Sequence, residues 1–200
     1  MDNYDVVLSQ LIGQLARFNY AIVSSRTGAK FDIDSESLEV RFLGKKYVVT
    51  KKECYPVECE GDPKKDQILI IDYLLSFGGL DSGDDWIDFR DIPNSMPYDS
   101  AFRANVESLL EKNAAKIIQH KEGLLSKLDG NNVTEFSRAD FAAIFRVFPR
   151  VECLLLLFEG DEEIGPGAKL LFCSNAYKFL TTESLAAIGE ALTRKLVGKG

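Results

Sequence analysis

The segment VECLLLLF, residues 151–158, constrains the fold more than any other part of the chain. It is apolar at nearly every position, as is typical of an interior strand that is buried on both faces of a sheet. The segments FAAIFRVF (141–148) and AKLLFC (168–173) are also apolar, and turn-forming residues separate them from it. Because short apolar runs bounded by turn signals are typical of buried strands, we predict three consecutive strands here.

Segments with helical periodicity surround these strands without alternating with them. Apolar residues recur at helical spacing in residues 4–16, after Pro63 as far as Gly78, and from about Thr181 to the end of the chain. Residues 38–49 alternate around a turn at Leu43-Gly44 and predict a β-hairpin. We therefore expect an α+β fold, in which a mixed or antiparallel sheet with an N-terminal hairpin and C-terminal strands is packed by about four to five helices.

Three other stretches are less regular. Residues 51–65 are charged and contain two prolines, so we expect a surface loop and the position of a hinge if the chain has one. Residues 79–99 form a long connection, and residues 100–128 predict one long helix or a pair of helices.

A chain of this length buries about 70% of its unfolded surface on folding. We predict a single globular domain over residues 1–200, with two small lobes as the alternative.

Charge and hydropathy narrow the classes of partner. The net charge of −7 and pI of about 4.9 argue against nucleic acid as the main partner, because neutralising phosphates requires clustered Lys and Arg. The N-terminal residues do not resemble a signal peptide, and no run of about eighteen apolar residues occurs. We expect a cytoplasmic protein that does not associate with membranes. The sequence does not indicate an oligomeric state.

The cysteines do not form a pattern that predicts a cofactor. Cys54, Cys59, Cys153 and Cys173 are too sparse and too unevenly spaced for a disulfide framework, so reduced thiols are expected. Cys54 and Cys59 are separated by four residues, which is wider than the usual zinc knuckle. We predict no metal site, and these two residues are the only pair near such a spacing. Cys153 and Cys173 fall in predicted strands and should be buried.

The turn after the apolar strand, EGDEEIGPG (159–167), contains four carboxylates within five positions. A solvated hairpin tip needs polar residues and glycines, so a structural role accounts for most of this composition. Four neighbouring carboxylates also repel one another, and a cation or a basic partner would relieve that repulsion. We name Asp161 and Glu163 as candidate binding residues, with a merely solvated turn as the alternative.

The segment WIDFRDIPNSMPYDSAFR, residues 86–103, is the second candidate site. Aromatic residues could wall a pocket in which the guanidinium groups bind a small anion. The candidates are Trp86, Arg90, Tyr98 and Arg103. In the alternative interpretation, Trp86 and Phe89 anchor the loop to the core and Arg90 pairs with a neighbouring aspartate.

No motif identifies a reaction. The chain has no Walker loop, no G-x-G-x-x-G after a strand, no H-E-x-x-H and no nucleophile elbow. A Ser-His-Asp triad would have to use the single histidine, which has no motif around it. The sequence therefore leaves open whether the protein is an enzyme.

Six segments, in this order, carry a resemblance to a known family. They are FLGKKY (42–47), ILIIDYLL (68–75), WIDFRDIP (86–93), YDSAFR (98–103), FRVFPRVECLLLLFEGDEE (145–163) and AKLLFCSNAYKFLTTESL (168–185). Together they resemble the uncharacterised bacterial and archaeal family called domain of unknown function 3786. The most specific parts are the G-D-x-E turn after the apolar strand and the L-F-x-S-N-A segment that follows it.

The resemblance implies in which organisms such proteins occur, but it does not imply a reaction. Relatives are expected largely in anaerobes, and some resemble fusions to a cysteine-rich segment of iron–sulfur type. This chain has no such run of cysteines, so a cluster would have to belong to a partner. Cys173 also stands where the family often carries Asp. No catalytic residue follows from the resemblance.

These observations lead to one functional hypothesis and two alternatives. The hypothesis is a non-catalytic accessory protein of anaerobic metabolism, whose acidic turn and residues 86–103 form one recognition face for a protein partner or a small anionic ligand. The alternatives are a carboxylate- or metal-dependent enzyme, and a redox accessory protein that works with an iron–sulfur partner. The hypothesis requires the two segments to converge on one surface.

Overall fold

The computed structural model describes residues 3–58, 63–78, 83, 85–136, 138–160 and 165–198. The N-terminal elements are α1 (Asn3–Leu15), α2 (Tyr20–Thr27), β1 (Lys30–Asp32), β2 (Ser37–Phe42), β3 (Lys45–Val49), β4 (Cys54–Pro56) and α3 (Lys64–Leu75). They are followed by β5 (Trp86–Asp88), a 3-10 turn (Phe89–Asp91), α4 (Met96–Phe102), a π-helical turn (Arg103–Glu107), α5 (Ser108–Lys112), α6 (Ala114–Gln119) and α7 (Lys121–Lys127). The last elements are β6 (Gly130–Asn132), β7 (Phe141–Phe148), β8 (Val151–Phe158), β9 (Gly167–Cys173), a second 3-10 turn (Ala176–Lys178) and α8 (Thr182–Val197).

The strands form two antiparallel sheets with helices packed against them. One sheet has the order β1-β2-β3-β4, and the other has the order β5-β9-β8-β7-β6. Strands β7, β8 and β9 occupy the positions predicted from the three apolar runs, and β2 pairs with β3 as the predicted hairpin. The α+β prediction is therefore confirmed.

The β2–β3 hairpin connects the two sheets through its turn. Leu43 and Gly44 both have positive φ angles, 48° and 79°, which is the backbone of a type I′ turn. A positive φ is unfavourable for leucine, but the Leu43 side chain is buried and its N–H donates to the carbonyl of Val147 on β7, 3.2 Å away. Tertiary contacts therefore hold a turn that local preference would not choose.

Aromatic side chains join helix α3 to both sheets. Tyr73 on α3 stacks on Phe148 of β7 with ring centroids 4.2 Å apart, and Phe148 also contacts Phe42 of β2. The Tyr73 hydroxyl donates to the carbonyl of Thr27 at the end of α2. Burial raises the pKa of this phenol. The buried side chains of both sheets form one continuous cluster.

The helical region between residues 100 and 128 is divided more finely than the one or two helices expected. Breaks fall at Asn113 and His120, where the backbone leaves helical geometry. At both positions the side chain contacts the carbonyl four residues earlier: Asn113 Nδ2 donates to Leu109 at 2.7 Å, and His120 Nδ1 lies 2.9 Å from the Lys116 oxygen. Side chains that compete in this way for backbone groups interrupt a helix.

Two predicted loops contain short strands. Within residues 51–65, β4 pairs with β3, and within residues 79–99, β5 pairs with β9. Both are three-residue edge strands, and α4 begins before the second loop was expected to end.

No single helix among the described residues is both long and apolar enough to cross a membrane. Helices α1 and α2 reach that length and apolarity only as a pair bent by 103°.

Candidate functional site

A groove between α3 and α8, closed at one side by α1, is the strongest candidate site among the described residues. Helix α3 packs along α1 and makes a smaller contact with α8, so a gap of about 550 Å³ remains between them. We call this groove the trough. The α3 wall is formed by Lys65, Ile68, Leu69 and Asp72, whose spacing places them on one helical face.

The floor of the trough is apolar. Leu11 of α1, Ile68 and Leu69 of α3, and Ala187 of α8 line it. Leu69 is buried, whereas the other three remain half-buried. The floor therefore retains apolar surface that a ligand could cover, and covering it would be favourable.

Carboxylates form the rim, and three of them are tied to the fold. Asp66 accepts a hydrogen bond from the Tyr47 hydroxyl at 3.1 Å and lies 3.6 Å from the Lys195 ammonium. Glu190 accepts from the Asn105 amide at 3.1 Å and lies 3.7 Å from Arg194.

The side chain of Asp72, a residue of α3, is held at the start of α8. The Ser184 hydroxyl donates to its carboxylate over 2.5 Å. Thr181 caps the same helix, because its hydroxyl oxygen accepts from the Ser184 N–H at 3.1 Å and lies 2.9 Å from the Ser184 hydroxyl. A carboxylate near a helix N-terminus is stabilised by the helix dipole. This arrangement fixes the Asp72 carboxylate at the edge of the trough.

The trough has a negative balance of charge. Asp66, Asp72, Glu183 and Glu190 line it, together with the cationic side chains of Lys65 and Arg194. Four carboxylates and two cations line the trough, and Lys195 contacts Asp66 from beside it, so the carboxylates outnumber the cations by one. The trough therefore combines an apolar floor with a rim that attracts cations.

The residues predicted for the second site lie elsewhere and do not line the trough. Trp86 is half-buried on β5, Tyr98 is half-buried on α4, and Arg103 is exposed at the start of the π-helical turn. Phe89 is buried and stacks on Phe102 with centroids 4.0 Å apart. This stacking holds the 3-10 turn against α4, as the anchoring interpretation predicted.

Arg90 belongs to an ion-pair network. Its guanidinium lies 3.5 Å from Asp88, and Lys169 of β9 lies 3.0 Å from both Asp88 and Glu107. Burial raises the pKa of Asp88, but hydrogen bonds from Lys169 and the Arg90 N–H, with both positive charges, outweigh it and lower the pKa. Burial lowers the pKa of Lys169, but hydrogen bonds to both carboxylates outweigh it, so this pKa lies above its ordinary value.

The network joins residues 86–103 to β9, the strand that follows the acidic turn. Lys169 follows the acidic hairpin turn, and Asp88 precedes Arg90. The candidates Asp161 and Glu163 lie outside the described residues. Their convergence with residues 86–103 therefore stays a prediction.

The described cysteines are buried. Burial raises the pKa of Cys54 to about 12 and raises the pKa of Cys153 and Cys173 above the ordinary value, so all three are protonated at neutral pH. Cys59 lies outside the described residues. Within the described ranges, no group of three or more His, Cys, Asp or Glu side chains is placed to hold a metal ion.

The sequence contained one signal for the trough that our prediction did not use. Asp72 stands alone within the apolar run ILIIDYLL of helix α3. Such a residue must reach solvent or a partner, because burying a charge without one is costly. Asp72 therefore marked the exposed face of α3, but it did not show that α8 forms the opposite wall.

Comparison with known families gives one match. A family model described as a domain of unknown function (DUF3786) matches residues 19–195. The chain belongs to this family. No curated protein and no solved structure matches it significantly. The DUF3786 match begins at Asn19, the residue that caps α2, and it includes both sheets, α3 and most of α8. Helix α1, which closes one side of the trough, lies outside the match.

Proposed function

We propose that this DUF3786 chain is a non-catalytic binding protein whose trough receives an amphipathic, basic helix of a partner protein. One observation carries the proposal: the gap between α3 and α8 combines a partly exposed apolar floor with a rim on which four carboxylates outnumber two cations. Helix-in-groove recognition requires such a floor for the apolar face of the bound helix.

The shape of the trough favours a row of side chains over a compact ligand. Its α8 wall runs from Thr181 to Arg194, which is about 20 Å at the rise of an α-helix. The trough is therefore an elongated groove with a volume of about 550 Å³. A helix lying across the opening can insert its apolar side chains at successive turns.

The carboxylates of the rim favour a positively charged partner helix. Lys or Arg residues flanking the apolar stripe of the partner helix would face Asp72, Glu183 and Glu190. Complementary charges of this kind speed association and orient the bound helix, while the apolar contacts supply most of the affinity. The surrounding net charge of −7 attracts the same partner from a distance.

A fluorescence anisotropy titration tests the proposal. The probe is a labelled synthetic helix of about 14 residues, which spans about 20 Å, with leucines at i, i+3, i+7 and i+10 and lysines on both flanks. A peptide with the same composition but with the leucines distributed around the helix is the control. We expect saturable binding of the first peptide and much weaker binding of the second.

A matched pair of variants locates the binding site. Ala187→Arg places a long cationic side chain on the floor and should weaken binding by at least about tenfold. Ala115→Arg makes the same change on the exposed side of α6, away from the trough, and should leave binding unchanged. Equal effects of the two variants, or equal binding of the two peptides, would refute the proposal.

The face predicted from the sequence is a second candidate, and the ion pair between Lys169 and Asp88 favours it because it joins residues 86–103 to β9, the strand that follows the acidic turn. In this proposal Trp86 and Tyr98 supply apolar area, Arg90 or Arg103 binds an anionic group, and Asp161 and Glu163 attract a basic partner. The double variant Asp161→Asn, Glu163→Gln separates the two sites. If it lowers affinity for the leucine–lysine peptide while Ala187→Arg does not, the face and not the trough is the binding site.

A further inference from the structure

A second concave surface lies at the tip of the β2–β3 hairpin, against the end of α7. It has a volume of about 440 Å³ and is lined by Gly44, Lys45, Lys46, Val57, Glu58 and Lys127. We call it the lysine cleft. It shares no lining residue with the trough, so the inference drawn from it is independent of the proposed function.

The fold builds this cleft from three separate parts of the chain. Gly44, with φ of 79°, approaches the carbonyl of Lys127 so closely that a Cβ atom would collide with it. That approach places the end of α7 beside the hairpin. On the other side, the Val57 N–H donates to the carbonyl of Lys46 at 2.9 Å, which holds Val57 next to β3. Backbone contacts therefore define the walls.

Lysines outnumber carboxylates in this cleft of an otherwise acidic chain: Lys45, Lys46 and Lys127 line it together with one carboxylate, that of Glu58. Lys46 lies 3.1 Å from Glu39, whereas neither Lys45 nor Lys127 has an ion-pair partner among the described residues. Arg41 lies directly across the strand pair from Lys46 and adds a further exposed cation. Neighbouring ammonium groups repel one another, and a bound anion would relieve that repulsion.

We propose that the lysine cleft binds a small organic anion carrying at least two negative charges, either a phosphate ester or a polycarboxylate. Its volume matches sites for small molecules, and lysine ammonium groups bind phosphate and carboxylate oxygens as point charges. Val57, which is 55% exposed, offers an apolar surface for the carbon skeleton of the ligand. Sequence reasoning placed a small anion at Arg90 and Arg103, and the lysine cleft is a different site for the same ligand class.

Isothermal titration calorimetry with inorganic pyrophosphate and with citrate tests the proposal and distinguishes its two chemistries. We expect one-to-one binding of at least one anion, which weakens as salt is added. Lys127→Gln should weaken it roughly three- to tenfold. Lys121→Gln removes an exposed lysine from the start of the same helix, outside the cleft, and should have no effect.

A second pair of variants separates charge from packing. Val57→Asp adds a carboxylate to the cleft, whereas Val57→Asn has nearly the same shape without the charge. The aspartate variant should bind the anion at least about tenfold more weakly than the asparagine variant, because a like charge is placed beside the ligand. Circular dichroism confirms that each variant is folded. Absence of saturable binding of either anion, or equal affinities of the Asp and Asn variants, would overturn the proposal.

Discussion

The trough and the lysine cleft differ in how the fold holds their charges. In the trough, Asp66, Asp72 and Glu190 each accept a hydrogen bond from another part of the chain. In the lysine cleft, Lys46 pairs with Glu39, but Lys45 and Lys127 have no ion-pair partner among the described residues, and backbone contacts hold the hairpin against α7 and Val57. We therefore expect charge substitutions in the trough to affect stability and binding together, but substitutions of Lys45 or Lys127 in the lysine cleft to affect binding alone.

Gly44→Ala should produce the largest loss of stability, because it changes the backbone of the lysine cleft rather than its charges. The positive φ disfavours alanine, and its Cβ would collide with the Lys127 carbonyl. We expect the free energy of unfolding to fall by about 3 kcal/mol in urea denaturation. An unchanged stability would show that the hairpin and α7 are not in contact.

Asp72→Ala should produce the next largest effect. It leaves the Ser184 hydroxyl without its acceptor and removes an anion from the start of α8. We expect a loss of about 2 kcal/mol in the same assay. Lys127→Ala, the matched change in the lysine cleft, should stay within about 0.5 kcal/mol of wild type. Equal losses of stability in the two variants would show that the trough and the lysine cleft do not differ in how their charges are held.

Thr181→Ala should cost about 1 kcal/mol, because it removes the cap of α8. Thr181→Ser keeps the hydroxyl and should retain most of the stability. The leucine–lysine peptide should also bind Thr181→Ala less tightly, since Ser184 and Asp72 lose their support. A loss of stability with unchanged peptide affinity would show that the cap does not contribute to the trough.

The ion-pair network around Lys169 should make stability depend on pH in both directions. The lowered pKa of Asp88 gives stability that is present above its unfolded value of about 4 and is lost as pH falls through the folded pKa. The raised pKa of Lys169 gives stability that is present below its unfolded value and is lost as pH rises through the folded pKa. Urea denaturation at several pH values should show smaller losses at both extremes for Lys169→Gln than for wild type.

The fold could be predicted where the pattern is local. The three C-terminal strands, the hairpin and the opening and closing helices all follow from periodicity within one segment. The three-residue strands β1, β4, β5 and β6 could not be found in this way, because each is defined by its pairing with a neighbour. The breaks at Asn113 and His120 depend on hydrogen bonds of single side chains.

The candidate site was less predictable than the fold. The alternative interpretation of residues 86–103 correctly placed Phe89 in the core and paired Arg90 with a neighbouring aspartate, which is Asp88 in the structure. Sequence reasoning did not identify the trough, because the trough exists only where α3 and α8 diverge, more than a hundred residues apart in sequence. The lone Asp72 in an apolar helix was the available signal.

The most direct test of the binding account is a chemical-shift map of the isotope-labelled protein with the leucine–lysine peptide. The account predicts that backbone amide shifts change at Leu11, Ile68, Asp72 and Ala187, while those of Lys45, Val57 and Lys127 remain constant. Shift changes confined to the lysine cleft, or spread evenly over the acidic surface, would contradict the assignment of the trough as the binding site.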